Sequence, residues 1–323
     1  MKLTTSVNIL ASEFKIDHKG EVLLMGSCFS QNIRIKLEES KFKVSKNSFG
    51  IIYNPISIAQ NINRLNNGNL YTNQDIYSYK DKKVVNFSNQ NSSPATGENE
   101  FLNLENENLK KDLSTFNQVK TIVLTFGTAW VYQWKGTQQV VANCHKIPDT
   151  FFTNRLLSVS EIVKAYEPII AQMAEKNIVF TISPVRHVKG GLYENTLSKS
   201  TLHLAIKELV NNYSNCYYFP AYELVVDELR DYRFYKEDMV HPTDQAVNYV
   251  WTKFSEAYFS KETKYLNGDI EKIRLASFHK PFDYKSEDHQ AFIKKQLEVM
   301  ENLTTQHPFL DFMEEKNRLN QHK

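Results

Sequence analysis

The chain has 323 residues, enough for one large domain, or a domain plus an appendage, with a substantial core. Its 41% apolar and 24% charged residues are those of a globular protein, and a net charge of +2 removes any global argument for nucleic acid or a membrane surface as partner. The N-terminal stretch M-K-L-T-T-S-V-N-I-L-A-S-E-F has no continuous apolar segment, and no run approaches the ~18 apolar residues of a spanning helix. A cytoplasmic location is therefore the expectation. Cys28, Cys144 and Cys216 are odd in number and far apart, which argues against a disulfide framework. No ligand spacing suggests zinc, so neither metal nor cofactor is expected.

Residues 1–19 read as an irregular lead-in. Val22 to Met25, apolar on both faces, is the first strand, and it runs through Gly26 and Ser27-Cys28 into a helix with Phe29, Ile33 and Leu37 on one stripe. Lys41 to Lys46 suggests a short strand. Gly50 and Asn54-Pro55 mark a loop before a helix carrying Ile58, Ile62 and Leu65. From 66 to 99 the chain is polar and reads as a lid-like surface excursion, least ordered around 89–99. Leu102, Leu109, Leu113 and Phe116 outline the next helix. Thr121 to Phe126 is the second strong strand, and Trp130–Trp134 with Gln138–Ala142 form a hairpin around Lys135-Gly136-Thr137.

Ser158 and Glu161 give a capping box for a helix that Pro168 should bend. Asn177–Ile182 is the third strand and Cys216–Phe219 the fourth, with a helix marked by Leu202, Ile206 and Leu209 between them. Tyr222 to Leu229 reads as helical, and another helix starts near Thr243. Strands separated by helices predict βαβ units and an open parallel sheet, whose ligand lies beyond the C-terminal strand ends. The expected organisation is a sheet domain over 1–260 and a C-terminal helical appendage over 261–323.

Three stretches fall at those strand ends: Gly26-Ser27-Cys28, Gly127-Thr128 and Ser183 to His187. A nucleophile on a strand–Gly–helix joint gains the N–H groups and dipole of the helix start. Asp238 and His241, three apart before Pro242, suit a carboxylate that fixes an imidazole tautomer. The bland reading of each is a tight turn and a helix cap. Cys144-His145 reads as loop packing or a substrate rim. Arg186 and His187 are candidates for substrate contact or for an ion pair with Glu194 or Asp227. Arg230 and Arg233 suit an anionic substrate or a brace for the acidic loop. Trp130, Tyr132 and Trp134 suit sugar stacking or a packing flap.

The motifs G-S-C-F-S (26–30), F-G-I-I-Y-N-P-I-S-I-A (49–59), T-F-G-T-A-W-V-Y (125–132), N-C-H-K-I-P (143–148), S-P-V-R-H (183–187), E-N-T-L-S-K-S-T-L (194–202), Y-F-P-A-Y-E-L (218–224) and D-E-L-R-D-Y-R-F-Y-K-E-D-M-V-H-P (227–242) resemble the GSCFA family. This is a bacterial group placed within the SGNH/GDSL-like hydrolases, and the resemblance spans about Leu23 to Phe254. It implies a three-layer α/β/α sandwich with a flavodoxin-like parallel sheet, and ester-hydrolase chemistry less directly. Asp238 and His241 match the block that supplies the triad acid and base. Gly50 matches an oxyanion-hole glycine. Gly127-Thr128-Ala129 stands where the superfamily has G-x-N, so the oxyanion asparagine is missing, with Thr128 or Asn143 as conceivable substitutes. Strict register makes Cys28 the nucleophile; a one-residue shift makes it Ser27, which the serine chemistry of the superfamily favours.

The resulting expectation is an esterase acting on a small-molecule or glycan acyl ester, with a homodimer conceivable through the C-terminal helices. Its alternatives are a catalytically silent binding or assembly protein and an O-acyltransferase.

Overall fold

The computed structural model describes residues 4–80, 83–90, 95 and 97–320. In chain order it contains β1 (Glu21–Gly26), α1 (Cys28–Glu39), α2 (Pro55–Asn67), the hairpin β2 (Ile76–Tyr79) and β3 (Lys83–Asn86), α3 (Glu98–Phe116), β4 (Val119–Phe126), β5 (Trp130–Trp134), β6 (Val140–Val141) and β7 (Phe152–Leu156). Then follow α4 (Val159–Gln172), β8 (Asn177–Ile182), α5 (Leu192–Asn212), β9 (Cys216–Phe219), α6 (Ala221–Glu223) with a π-helical turn over Leu224–Leu229, α7 (Asp244–Tyr258), α8 (Lys261–Ser277), α9 (Glu287–Gln306) and α10 (Met313–Asn320).

The central sheet has the order β1-β4-β8-β9, all parallel. Lys41 to Lys46, expected as a strand, contributes one parallel bridge, Val44 to Val22, closed by Val22 N–H to Lys43 O and Ser45 N–H to Val22 O. Counting that bridge as a nascent edge strand gives the flavodoxin-like order 2-1-3-4-5. Strand side chains alternate between two cores. Leu23, Met25, Ile122, Leu124, Ile178 and Phe180 meet α2, α4 and α5 on one face, while Val22, Leu24, Val123 and Val179 meet α1 and α7 on the other. A strand buried on both faces must be apolar at every position, which is why these segments read as continuous hydrophobic runs. The result is a three-layer α/β/α sandwich.

The helix starts follow from the sequence. Ser158 and Glu161 form the reciprocal capping box of α4, Asn54 accepts from Ser57 N–H at the start of α2, and Thr243 caps α7. α4 runs through Pro168 to Gln172.

The excursion after α2 is more ordered than a loose lid. Val85 and Phe87 join Trp134, Val141, Ile147 and Phe152 in a separate small core against the sheet β6-β5-β7. Part of the stretch expected to be least ordered, 91–94 and 96, lies outside the described residues. Strand β7 completes the β5–β6 hairpin by antiparallel pairing and has no alternating signature of its own. α8 to α10 enclose their own core of Ile270, Ile273, Ile293, Met300 and Phe312. They are tied to the sheet domain by Lys41–Glu315 (2.9 Å), by Arg274–Glu39 (3.2 Å), and by His18, stacked between Phe42 and Phe309.

Candidate active site

β1 ends at Gly26, whose φ of +142° and contact with β4 exclude any side chain: a Cβ there would lie 2.2 Å from Thr125 O. The chain turns at once, with Ser27 N–H on Thr125 O and Ile52 N–H on Gly26 O. Ser27 is the N-cap residue of α1 and Cys28 its first helical residue. The two candidate nucleophiles differ sharply. Ser27 is 1% exposed, and its hydroxyl neither caps the helix nor finds any other partner among the described residues. Cys28 is half-buried, and its sulfur receives its own N–H and that of Phe29. Burial pushes the Cys28 thiol up; those N–H groups and Lys199 pull it down, and the Asp238 charge adds to the rise. Tyr53, an exposed residue of the loop before α2, feels the Cys28 charge.

Asp238 and His241 share one tight turn, in which Lys236 N–H donates to His241 O and Met239 takes a φ of +55°. Asp238 Oδ1 accepts from the N–H groups of Val240 and His241, and its Oδ2 accepts from His241 Nδ1 at 2.7 Å. These donors hold the carboxyl down at about 2. The carboxylate fixes the Nδ1–H tautomer of His241, which leaves Nε2 as a lone-pair acceptor. The turn is tied to the end of β8 by Arg186 N–H on Val240 O.

A third group was not anticipated from the sequence. On its sheet-facing side α5 carries three polar residues, each holding a strand-end loop. Asn195 accepts from His187 N–H, and Ser198 accepts from Ala129 N–H and pairs with the Thr128 hydroxyl. Lys199, 2% exposed, donates from Nζ to Gly127 O and Ser183 O, both at 2.7 Å. Burial pulls its amine down to about 7, opposed by the nearby Cys28. The available signal was periodic: Lys199 occupies the stripe Asn195, Ser198, Leu202, Ile206 and Leu209, where a core residue belongs.

The expected oxyanion donors are distributed unevenly. Gly50, at φ +79°, has an N–H with no partner among the described residues. The N–H groups of Gly127 and Thr128 both go to Tyr53 O (2.8 and 3.0 Å), and the Thr128 hydroxyl also accepts from Trp130 N–H. Asn143 donates to Gln90 O and accepts from His145 N–H, so its amide braces a loop. Near the elbow, the Gly50 N–H is without a partner among the described residues, and the Cys28 and Phe29 N–H groups are directed at the Cys28 sulfur.

Arg186 lies over the rings of Tyr235 (4.6 Å) and Tyr232 (5.0 Å), rather than pairing with Glu194 or Asp227. His187 has an exposed side chain, its basicity lowered first by desolvation and then by Lys199 and Lys189. With Trp130, Tyr132, Asn154, Lys189, Gly190 and Glu194 it lines a cavity of about 260 Å³. Trp134 faces the small core instead, 8% exposed. Cys144 lies against that same core, and burial raises its thiol to about 11; His145 is buried, with Nε2 on Asn86 O. Arg233 reaches Asp231 at 3.9 Å, and Arg230 sits at a left-handed φ of +43°.

No cluster of three or more His, Cys, Asp or Glu suited to a metal occurs among the described residues, and none of their helices is long and apolar enough to cross a membrane. No curated protein matches the chain. Two family descriptions do: the GSCFA family over residues 21–254, and the C-terminal domain of GSCFA domain proteins over 270–322. The first spans the parallel sheet from β1 to α7, with the elbow, the Asp238–His241 turn and Lys199 inside it, and the second falls on α8 to α10. The chain belongs to the GSCFA family.

Proposed function

We propose that the protein is an acyl-ester hydrolase of the SGNH type, with Cys28 as nucleophile and His241 as the acid–base group that Asp238 orients. The observation that carries this reading is the Asp238–His241 pair (2.7 Å), whose carboxylate charge reaches the Cys28 thiol at the helix start. His241 Nε2 takes the Cys28 thiol proton, the thiolate adds to the acyl carbon, and the N–H groups of Cys28, Phe29 and Gly50 receive the developing oxyanion. His241, as imidazolium, gives a proton to the departing alcohol. It then takes a proton from water, which cleaves the thioester and frees the acid.

The cavity beside His187 suits a carbohydrate as the alcohol part. Trp130 has its indole N–H pinned to Glu194 O, which fixes a flat apolar ring next to the polar groups of Asn154, His187 and Glu194. With a sugar hydroxyl in place of water, the same site performs O-acyl transfer.

The second reading, a silent binding protein, draws support from the missing G-x-N asparagine and from the loss of the Gly127 and Thr128 N–H groups to Tyr53. Turnover of short-chain p-nitrophenyl and acetylated-sugar esters separates the two. The hydrolase reading expects activity in the wild type and its loss in Cys28→Ala and His241→Ala. Equal background rates in all three proteins would leave the binding reading in its place.

A further inference from the structure

The Asp238 and His241 side chains stand on the surface, 49% and 46% exposed, and among the described residues neither makes a side-chain hydrogen bond beyond its own turn. A short exposed turn opens easily, whereas an acid–base group has to be in place before its substrate arrives. The turn is closed into a strap. Tyr235 and Pro242 form an antiparallel bridge, Lys236 N–H donates to His241 O, and Thr243 N–H donates to Phe234 O, both at 2.8 Å. These bonds fix His241 relative to Tyr235, but they do not tie the strap to the sheet.

Arg186, in the loop after β8, makes that connection twice. Its backbone N–H donates to Val240 O at 3.4 Å. Its guanidinium lies 4.6 Å from the ring centre of Tyr235 and 5.0 Å from that of Tyr232, and Nη1 donates to the Tyr232 hydroxyl at 3.4 Å. Tyr232 opens the 3₁₀ turn that leads into the strap, and Tyr235 follows that turn, so one side chain grips both of its ends. Tyr235 is itself buried with Val225 and Val247, which fastens the strap to the helical layer; Arg186 fastens it to the end of a central strand. We propose that Arg186 is a positioning residue, whose side chain clamps the strap and thereby holds His241 at the strand ends. Its effect on turnover rests on the hydrolase reading, but the clamp itself does not.

A planar guanidinium can face two rings at once while its backbone holds Val240. A lysine at the same place would keep the charge and lose the plane. Cation–π contacts of this kind shift a local equilibrium by about two- to thirtyfold, enough to change how often the strap leaves its place without unfolding the sheet.

The test follows two signals in the full chain: hydrogen exchange at the Val240 and His241 amides, and the downfield Nδ1–H proton resonance of His241, identified by its absence in His241→Ala. Arg186→Met keeps the aliphatic stem and removes the charged plane. The expected result is about two- to thirtyfold faster exchange at both amides and a broadened Nδ1–H resonance, with exchange in β4 unchanged. Arg186→Lys should fall between Arg186→Met and the wild type. Tyr232→Leu, at a residue 61% exposed, should reproduce the effect, and combining it with Arg186→Met should add less than the sum of the two. If Arg186→Met fails to fold, Tyr232→Leu decides on the same two signals. Where an ester is turned over, kcat should fall with KM changed by no more than about twofold. Unchanged exchange and an unchanged resonance would overturn the proposal, and a raised KM beside them would make Arg186 a substrate contact instead. Faster exchange in a protein that turns over no ester would defeat the hydrolase reading and leave the clamp standing.

Discussion

Replacing Ser27 with alanine separates the two adjacent nucleophile candidates, and its effect on stability follows from the structure. Removing a helix N-cap serine normally costs about 1 kcal/mol. Here the hydroxyl makes no cap bond, so that loss does not arise. The Ser27 hydroxyl is instead buried without a partner, an arrangement that penalises the folded state by ~1–3 kcal/mol. The vacated oxygen leaves a void of roughly 15 Å³, worth about 0.4 kcal/mol against folding at the usual cavity cost. The net expectation is a stabilisation of about 0.6–2.6 kcal/mol, read as a rise in Tm of roughly 1–5 °C. Calorimetry and urea unfolding measure it, and ester turnover is followed on the same samples. Ser27→Ala should retain turnover, while Cys28→Ala should abolish it. A Ser27→Ala protein that folds normally but is inactive, beside an active Cys28→Ala protein, would refute the reasoning and make Ser27 the nucleophile.

Two further expectations concern the groups around the elbow. Asp238→Asn removes the acceptor that fixes the Nδ1–H tautomer of His241, and kcat should fall ~10²- to 10⁴-fold with little change in KM. Because the folded carboxyl is held at about 2, below its ordinary 3.8, its contribution to stability is complete above the ordinary value and is lost as pH falls through about 2. An acidic limb in the wild-type rate profile well above pH 3 therefore belongs to another group; a limb that disappears in Asp238→Asn at pH 4–5 would contradict this. Gly26→Ala places a Cβ 2.2 Å from Thr125 O and 2.8 Å from that residue's backbone C and N, at a φ of +142°. No rotamer relieves contact between backbones, so a loss above ~3 kcal/mol is expected, seen as insoluble expression or a large fall in Tm. A Gly26→Ala protein with an unaltered melting curve would show that β1 and β4 can separate there at no cost.

The sheet strands were legible because a parallel strand enclosed on both faces must be a short apolar run, and the glycines and caps that end each element are local chemistry. The Asp238–His241 pair was legible for the same reason: its three-residue spacing fits one turn, and one turn is what holds it. Lys41 to Lys46 reads as a strand but contributes a single bridge, because pairing at a sheet edge depends on how the next loop returns. β7 escaped notice because Phe152 to Leu156 is stabilised by pairing with β5 rather than by its own pattern.

The details of the candidate site lay further from reach. Asn143 and Thr128 have the right side chains to stand in for a missing asparagine, but their hydrogen bonds are already committed to Gln90, Ser198 and Trp130. Which donors are spent is a property of packing. The sequence by itself determined the parallel-sheet architecture, the family, the elbow and the carboxylate–imidazole turn, because each is written in residues close together along the chain. Only the tertiary structure decided that Ser27 is sealed behind β4 while Cys28 meets solvent, and that an amine 171 residues further along the numbering reaches the same strand ends. Burial and the pairing of distant charges depend on what folds over a residue, and no local pattern carries that information.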